Sequence, residues 1–225
     1  VHLCLNSEFS GYRWRPVAGA KTVPSLVDGD GYFWPSPAET LEHADPDEVR
    51  VELREQIDRA LEAGIDATHL DAHMGTAMMR ELFPVYLELG RDYGLPLFLP
   101  KPTQKLLEEV GRSDMIASLE QVLEGFDASG VLMVDHAELR SLAFEPERAE
   151  DHYRAVFSEL PAGVTHLLVH PAVGDDELRA ITPDSWRQRE AERRFFSAPE
   201  LRQWLDEAGI QRVGYRRLRD VLRAS

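Results

Sequence analysis

Three short stretches place groups capable of chemistry at strand spacing. "VHLCLN" carries His2, Cys4 and Asn6 at every second position, "THLDAHMG" carries His69, Asp71 and His73, and "VTHLLVHP" carries His166, Leu168 and His170. Side chains alternate faces along a strand, so each set shares one face. Imidazole and carboxylate together suit a divalent cation of borderline hardness. Such an ion polarises a carbonyl and lets water attack near neutral pH, the chemistry of metal-assisted hydrolysis. His2, His73 and His170 are read as ligand or catalytic groups. His69 and His166, deeper in their strands, read as buried imidazoles bonded to backbone carbonyls. Asp71 reads as a carboxylate that orients a ligating histidine. Cys4 reads as a small buried filler, and His43 and His152 as solvated side chains.

The elements that must position these groups follow from pattern. Residues 45–64 predict a helix, with Asp45 as N-cap, Pro46 in the first turn, Gly64 closing it, and Val49, Leu53, Ile57, Ala60 and Leu61 at helical spacing. Further helices are expected around 79–94, 104–110, 115–126, 146–163 and 187–209. Strands are expected over 1–6, 67–73, 130–136 and 164–171, with an apolar run at 95–100 and a closing strand and helix over 210–224. Between the first strand and the first long helix lies an aromatic segment with turn signals at Asp28-Gly29 and Asp30-Gly31, read as an ordered loop over a cleft. Strand and helix alternate throughout, which argues for a parallel α/β sheet. Short strands with polar residues in their loops favour a (β/α) barrel over an open sheet, with the site beyond the carboxyl ends of the strands.

The 225 residues suit one domain of ordinary globular composition, 43% hydrophobic and 29% charged. A net charge of −15 argues against nucleic acid and anionic membrane as partners. The single cysteine, Cys4, excludes an internal disulfide and fits a reducing, cytoplasmic setting. Runs of 18 apolar residues, as a membrane-spanning helix needs, are absent from the sequence. The LPLFLP run and the Trp-rich segment are the candidates for a homodimer interface.

Seven stretches, in order, resemble the YdjC-like (ChbG/HpnK) carbohydrate deacetylase family: "VHLCLNSEF", "PSLVDGDGYF", "ELREQIDRALEAGIDATHLDAHMG", "YGLPLFLP", "LLVHPAV", "DELRAI" and "SAPELRQWLDEAGI". The resemblance covers nearly the whole chain. It implies a distorted (β/α) TIM-like barrel that removes acetyl groups from N-acetylated sugars with a divalent metal, Mg²⁺ or Zn²⁺. The implied metal ligands are His2 and His73, and His170 matches the family's late His-Pro motif as a general acid or substrate-holding group. Asp71 is the nearest candidate for catalytic carboxylate. Trp14, Tyr32 and Trp34, with Tyr12 and Phe33, would stack on sugar rings, and Asp135 would touch substrate from a strand end. The family's Asp-Asp strand has no counterpart here, because Asp175-Asp176 reads as a solvated turn. The resemblance therefore implies a further strand–helix unit of roughly 40 to 60 residues upstream. Two other functions remain open at this point: another metal-dependent barrel amidohydrolase, and a non-catalytic carbohydrate-binding protein.

Overall fold

The computed structural model describes residues 1–101 and 133–224. The helices expected over 104–110 and 115–126, and the start of the strand expected over 130–136, lie outside the described residues. Along the chain run β1 (His2–Leu3), α1 (Pro37–His43), α2 (Pro46–Glu62), β2 (Asp71–Ala72), α3 (Phe83–Tyr93), β3 (His136–Glu138), α4 (Ala149–Ser158), β4 (Thr165–Leu167), α5 (Asp176–Ile181), α6 (Trp186–Phe196), α7 (Pro199–Glu207) and α8 (Tyr215–Ala224). Two compact units result, one of Val1–Met133 with Gly214–Ser225, the other of Val134–Val213. Each holds a short parallel strand pair with helices in the crossover, β1 with β2 and β3 with β4. The fold is thus α/β with parallel pairing, as the alternation of elements predicts. No helix among the described residues is long and apolar enough to cross a membrane.

In the first unit, α2 starts where the sequence says it must. The Asp45 side chain accepts from Asp47 N–H at 2.8 Å, and Pro46 occupies the first turn. Gly64, at φ 79°, follows the last turn, with its N–H on the Leu61 carbonyl at 2.9 Å. Val49, Leu53 and Ile57, four residues apart, are fully buried, but Leu61, expected on the same face, is 42% exposed. The buried stripe therefore stops one turn early. Leu3 and Leu5 of the first strand segment meet this stripe in one core with Phe33, Leu70, Phe83 and Tyr86.

The ladders are far shorter than the period-two runs suggest, and the backbone hydrogen bonds show why. Past Leu3 the strand's partner is a side chain: Gln56 of α2 accepts from Cys4 N–H at 2.9 Å and donates to the Cys4 carbonyl at 2.7 Å. The apolar run 95–100 forms isolated bridges at Leu97, to Leu70, and at Pro100 rather than a ladder, since Pro96 and Pro100 have no N–H to extend it. Leu95, Leu97 and Leu99 are buried in the core, so this run offers no exposed interface patch. The strand expected over 67–73 reduces to β2, because His73 begins a 3₁₀ segment, His73–Met78, with positive φ at Met74 (50°) and Gly75 (69°).

Glu52 of α2 fastens the aromatic loop. Fully buried, it accepts from Val17 N–H at 2.9 Å, Ala18 N–H at 2.8 Å and Gln56 Nε2 at 2.8 Å. At the far end of the chain, α8 packs back: Arg219 pairs with Asp66 and donates to the Ala67 carbonyl at 2.9 Å. The Tyr215 ring stacks on His69 with centroids 4.0 Å apart.

In the second unit, His136, Ala137 and Glu138 pair with Thr165, His166 and Leu167. Its core is aromatic: Tyr153 and Phe157 of α4 pack with Phe144, Phe195, Phe196 and Trp204. His152, expected to be solvated, belongs to this cluster, stacked on Phe144 at 4.8 Å. Residues 210–214 form no strand, contrary to the apolar cue of "IQRVG"; the Ile210 N–H instead closes the end of α7 on the Leu205 carbonyl at 2.9 Å.

Burial pushes the Glu52 carboxyl above its ordinary 4.5, against the hydrogen bonds that it accepts. The folded state therefore holds more protons at this group than the unfolded state. Its contribution to stability falls as pH rises from 4.5 through the raised value. Glu52→Ala leaves the Val17 and Ala18 N–H groups without their acceptor and is expected to cost about 3 kcal/mol. Urea denaturation should show a larger deficit at pH 5 than at pH 8.

Candidate functional site

The register of β1 on β2 sets His2 directly opposite Asp71. Across this pair, His2 Nδ1 lies 2.9 Å from Asp71 Oδ2. His2's other nitrogen, Nε2, lies 3.2 Å from His73 Nδ1, with the two rings edge to face. His73's far nitrogen, Nε2, lies 2.8 Å from Glu8 Oε2. The order is carboxylate, imidazole, imidazole, carboxylate. A ring proton on each outer nitrogen satisfies both carboxylates and leaves both inner nitrogens as lone pairs facing each other.

That inner pair has the spacing of shared ligands. Two nitrogens held about 2.0–2.1 Å from one tetrahedral ion lie about 3.3 Å apart. Carboxylates on the far nitrogens are the usual way to orient ligating histidines. Among the described residues, no group of three or more His, Cys, Asp or Glu side chains is arranged to hold a metal ion, so the donor set shown here is the histidine pair. Burial alone would raise the Asp71 carboxyl, yet the hydrogen bond from His2 and the basic rings of His2 and His69 outweigh it and hold it below the ordinary 3.8.

The turn that delivers His73 is fixed from β1's continuation. Asn6, fully buried, accepts from Thr76 Oγ1 at 2.6 Å and donates to Met74 Sδ at 3.0 Å. Trp14 stands edge-on to His73, centroids 6.0 Å apart, and its Nε1 donates to Cys4 Sγ at 3.2 Å. The other aromatic candidates have occupied faces. Tyr32 carries the guanidinium groups of Arg15 and Arg13 at 4.0 and 4.8 Å, and Trp34 stacks on His43 at 4.0 Å. Phe33 is core, whereas Tyr12 is 55% exposed.

In the second unit, His170 lies three residues beyond β4, on the carboxyl side of the strand pair. Its Nδ1 is 2.7 Å from Ser141 Oγ, and its backbone N–H donates to Glu192 Oε2 at 2.6 Å. Asp135 stands at the opposite end. It precedes β3, and its carboxylate accepts the Val164 N–H just before β4 at 2.8 Å. A strand over 130–136 would put Asp135 at a carboxyl end, but the ladder begins at His136. His166 pairs with Ala137 inside the ladder, and His69 is covered by Tyr215.

Sequence reasoning missed Glu8, Ser141 and Glu192. Glu8 was within reach, since it extends the period of His2, Cys4 and Asn6 by one more step. Glu192 carries no such signal, sitting in the charge-dense "RQREAERRFF" of α6.

The class is an α/β protein that sets an imidazole pair at the edge of a parallel strand pair. The family model described as YdjC-like protein matches residues 1–207, and the chain belongs to that family. A carbohydrate deacetylase of Thermus thermophilus is 34% identical over 99% of this chain and 78% of its own length. One of Thermoanaerobacter pseudethanolicus is 24% identical over 89% of this chain and 72% of its own. A crystal structure of an Enterococcus faecalis protein named for cellobiose-phosphate cleavage superposes with a TM-score of 0.73 at 25% identity, covering 97% of this chain and 76% of that one.

Burial pushes the Cys4 thiol up to about 11, the hydrogen bond from Trp14 only partly opposing it. Thiolate is the reactive form. Disulfide-reagent labelling of Cys4 at pH 7.5 is therefore expected to run at least roughly a hundredfold slower in the native protein than in denaturant. Equal rates would show that Cys4 is neither buried nor masked.

Proposed function

We propose that this protein is a metal-dependent hydrolase that removes acetyl groups from N-acetylated sugars. The observation that carries the reading is the pair of ring nitrogens facing each other at 3.2 Å, each ring backed by a carboxylate. Family membership and the names of the similar deacetylases support the substrate class. His2 Nε2 and His73 Nδ1 would hold the ion. Two imidazoles suit zinc better than magnesium, which prefers oxygen. When bound, the ion supplies Lewis-acid polarisation of the amide carbonyl and activates water at neutral pH.

This chain's residues do the rest. Asp71 and Glu8 accept hydrogen bonds from the outer ring N–H groups, so each histidine keeps the tautomer that presents its inner nitrogen. Asp71 thus acts through His2 in the geometry seen, as a positioning group. Trp14 offers an aromatic edge beside His73 for a sugar ring. His170 is the proposed general acid that protonates the leaving amine. A distorted (β/α) barrel is the architecture proposed with this function, and the single, half-buried thiol is read as fitting the cytoplasm.

Acetate release from N-acetylated chito-oligosaccharides, with metal content measured on the same samples, tests the reading. His73→Ala is expected to lose both activity and bound metal. Glu8→Ala is expected to weaken metal binding about 10- to 100-fold while leaving the fold intact. Unchanged metal content and turnover in His73→Ala would overturn the site. Sugar binding without acetate release by the native protein would favour a carbohydrate-binding role instead.

A further inference from the structure

The second unit holds a carboxylate that no part of the reading above uses. Glu192 of α6 is fully buried, and four donors converge on it. Oε1 accepts from Ser141 Oγ at 2.6 Å, from Leu142 N–H at 3.3 Å and from the Tyr153 hydroxyl of α4. Oε2 accepts from His170 N–H at 2.6 Å. Among the described residues, no arginine or lysine pairs with it. A carboxylate buried among neutral donors costs stability on desolvation.

The backbone around it is strained toward it. Leu142 sits at φ 65°, a left-handed conformation costing a non-glycine residue about 1 kcal/mol or more, and that conformation accompanies an N–H aimed at Oε1. The segment bearing His170 has no ladder of its own. Its alternate N–H groups are tied down one by one: Leu168 to the Glu138 carbonyl at 3.0 Å, His170 to Glu192, Ala172 to the Arg189 carbonyl at 3.2 Å and Gly174 to Glu190 Oε2 at 2.8 Å.

We propose that Glu192 and Ser141 form a relay that positions His170 and fixes its tautomer, so that Nε2 is the nitrogen that exchanges a proton with the substrate. A hydroxyl has one proton. Ser141 gives its proton to Glu192 Oε1, so at 2.7 Å from His170 Nδ1 its oxygen can only accept. Nδ1 therefore carries hydrogen. Glu192 grips His170 twice, directly at the backbone through Oε2 and through Ser141 at the ring. This inference rests on reading His170 as the general acid. As the amide C–N bond breaks, its electron pair stays on nitrogen, which takes the proton from Nε2. The imidazole is left neutral, with its remaining proton on Nδ1 and bonded to Ser141. Among the described residues, the charged and titratable groups around the relay include Glu192 from α6, Tyr153 from α4, and Glu138 at the end of β3 with its partner Arg140.

The experiment compares Ser141→Ala, Ser141→Thr, His170→Ala and the Ser141→Ala/His170→Ala double variant in the full chain. The substrate is an N-acetylated chito-oligosaccharide, assayed across pH. Ser141→Ala is expected to lower kcat about 10- to 100-fold with KM within about threefold, and to move the limb of the pH profile owed to the acid. Ser141→Thr should restore most of the rate, and the double variant should lose no more than His170→Ala alone. Nitrogen-15 NMR of the histidine rings needs neither substrate nor turnover. It should show His170 as the Nδ1–H tautomer in the native protein and a mixture in Ser141→Ala. An inactive His170→Ala beside a Ser141→Ala variant with unchanged kcat, pH profile and tautomer would strike down the relay alone. A fully active His170→Ala would strike down the acid assignment itself.

Discussion

The register of a two-residue parallel ladder governs the first cluster. With His2 opposite Asp71, the imidazole meets a carboxylate on one side and the His73 ring on the other. A slip of one residue would turn His2 into the core and Leu3 out of it, because side chains alternate faces. Leu3, at 1% exposure, opposes that slip through burial in the same core as Leu70 and the α2 stripe. Hydrophobic burial on one face therefore sets the geometry of polar chemistry on the other.

Both units solve the same problem in the same way. A neutral imidazole has two nitrogens, and only one can be presented to a reaction. Asp71 and Glu8 hold the far nitrogens of His2 and His73, and Ser141 backed by Glu192 holds the near nitrogen of His170. The first arrangement rests on ladder register and on the turn clamped by Asn6. The second rests on a left-handed backbone at Leu142 and on a helix side chain that reaches into the strand's extension. Position is set by secondary structure in one case and by a buried acceptor in the other.

Much of this was legible in the sequence, for definable reasons. The capped helix at 46–62 was readable because its signals are local: Asp45, Pro46, Gly64 and a four-residue apolar repeat. The alternation of His2 with Leu3 predicted which way the histidine faces, and the resemblance to YdjC-like proteins anticipated the family. Strand lengths were not readable, because Gln56 replaces a backbone partner at Cys4 from fifty-two residues away. Period two also failed at His73, which leaves the strand yet still meets His2 by way of the Met74-Gly75 turn. Ser141 and Glu192 lie fifty-one residues apart, and nothing local marks either one.

The run LPLFLP has a consequence beyond its place in the core. Six residues so rich in leucine and phenylalanine have the composition of a segment that stacks chain on chain when it is uncovered during folding. Pro96 and Pro100 remove donors at two of its positions, so a neighbouring copy cannot pair with it along its length. The prolines that keep this run from forming a ladder in the native fold also act as gatekeepers against self-association of the unfolded chain.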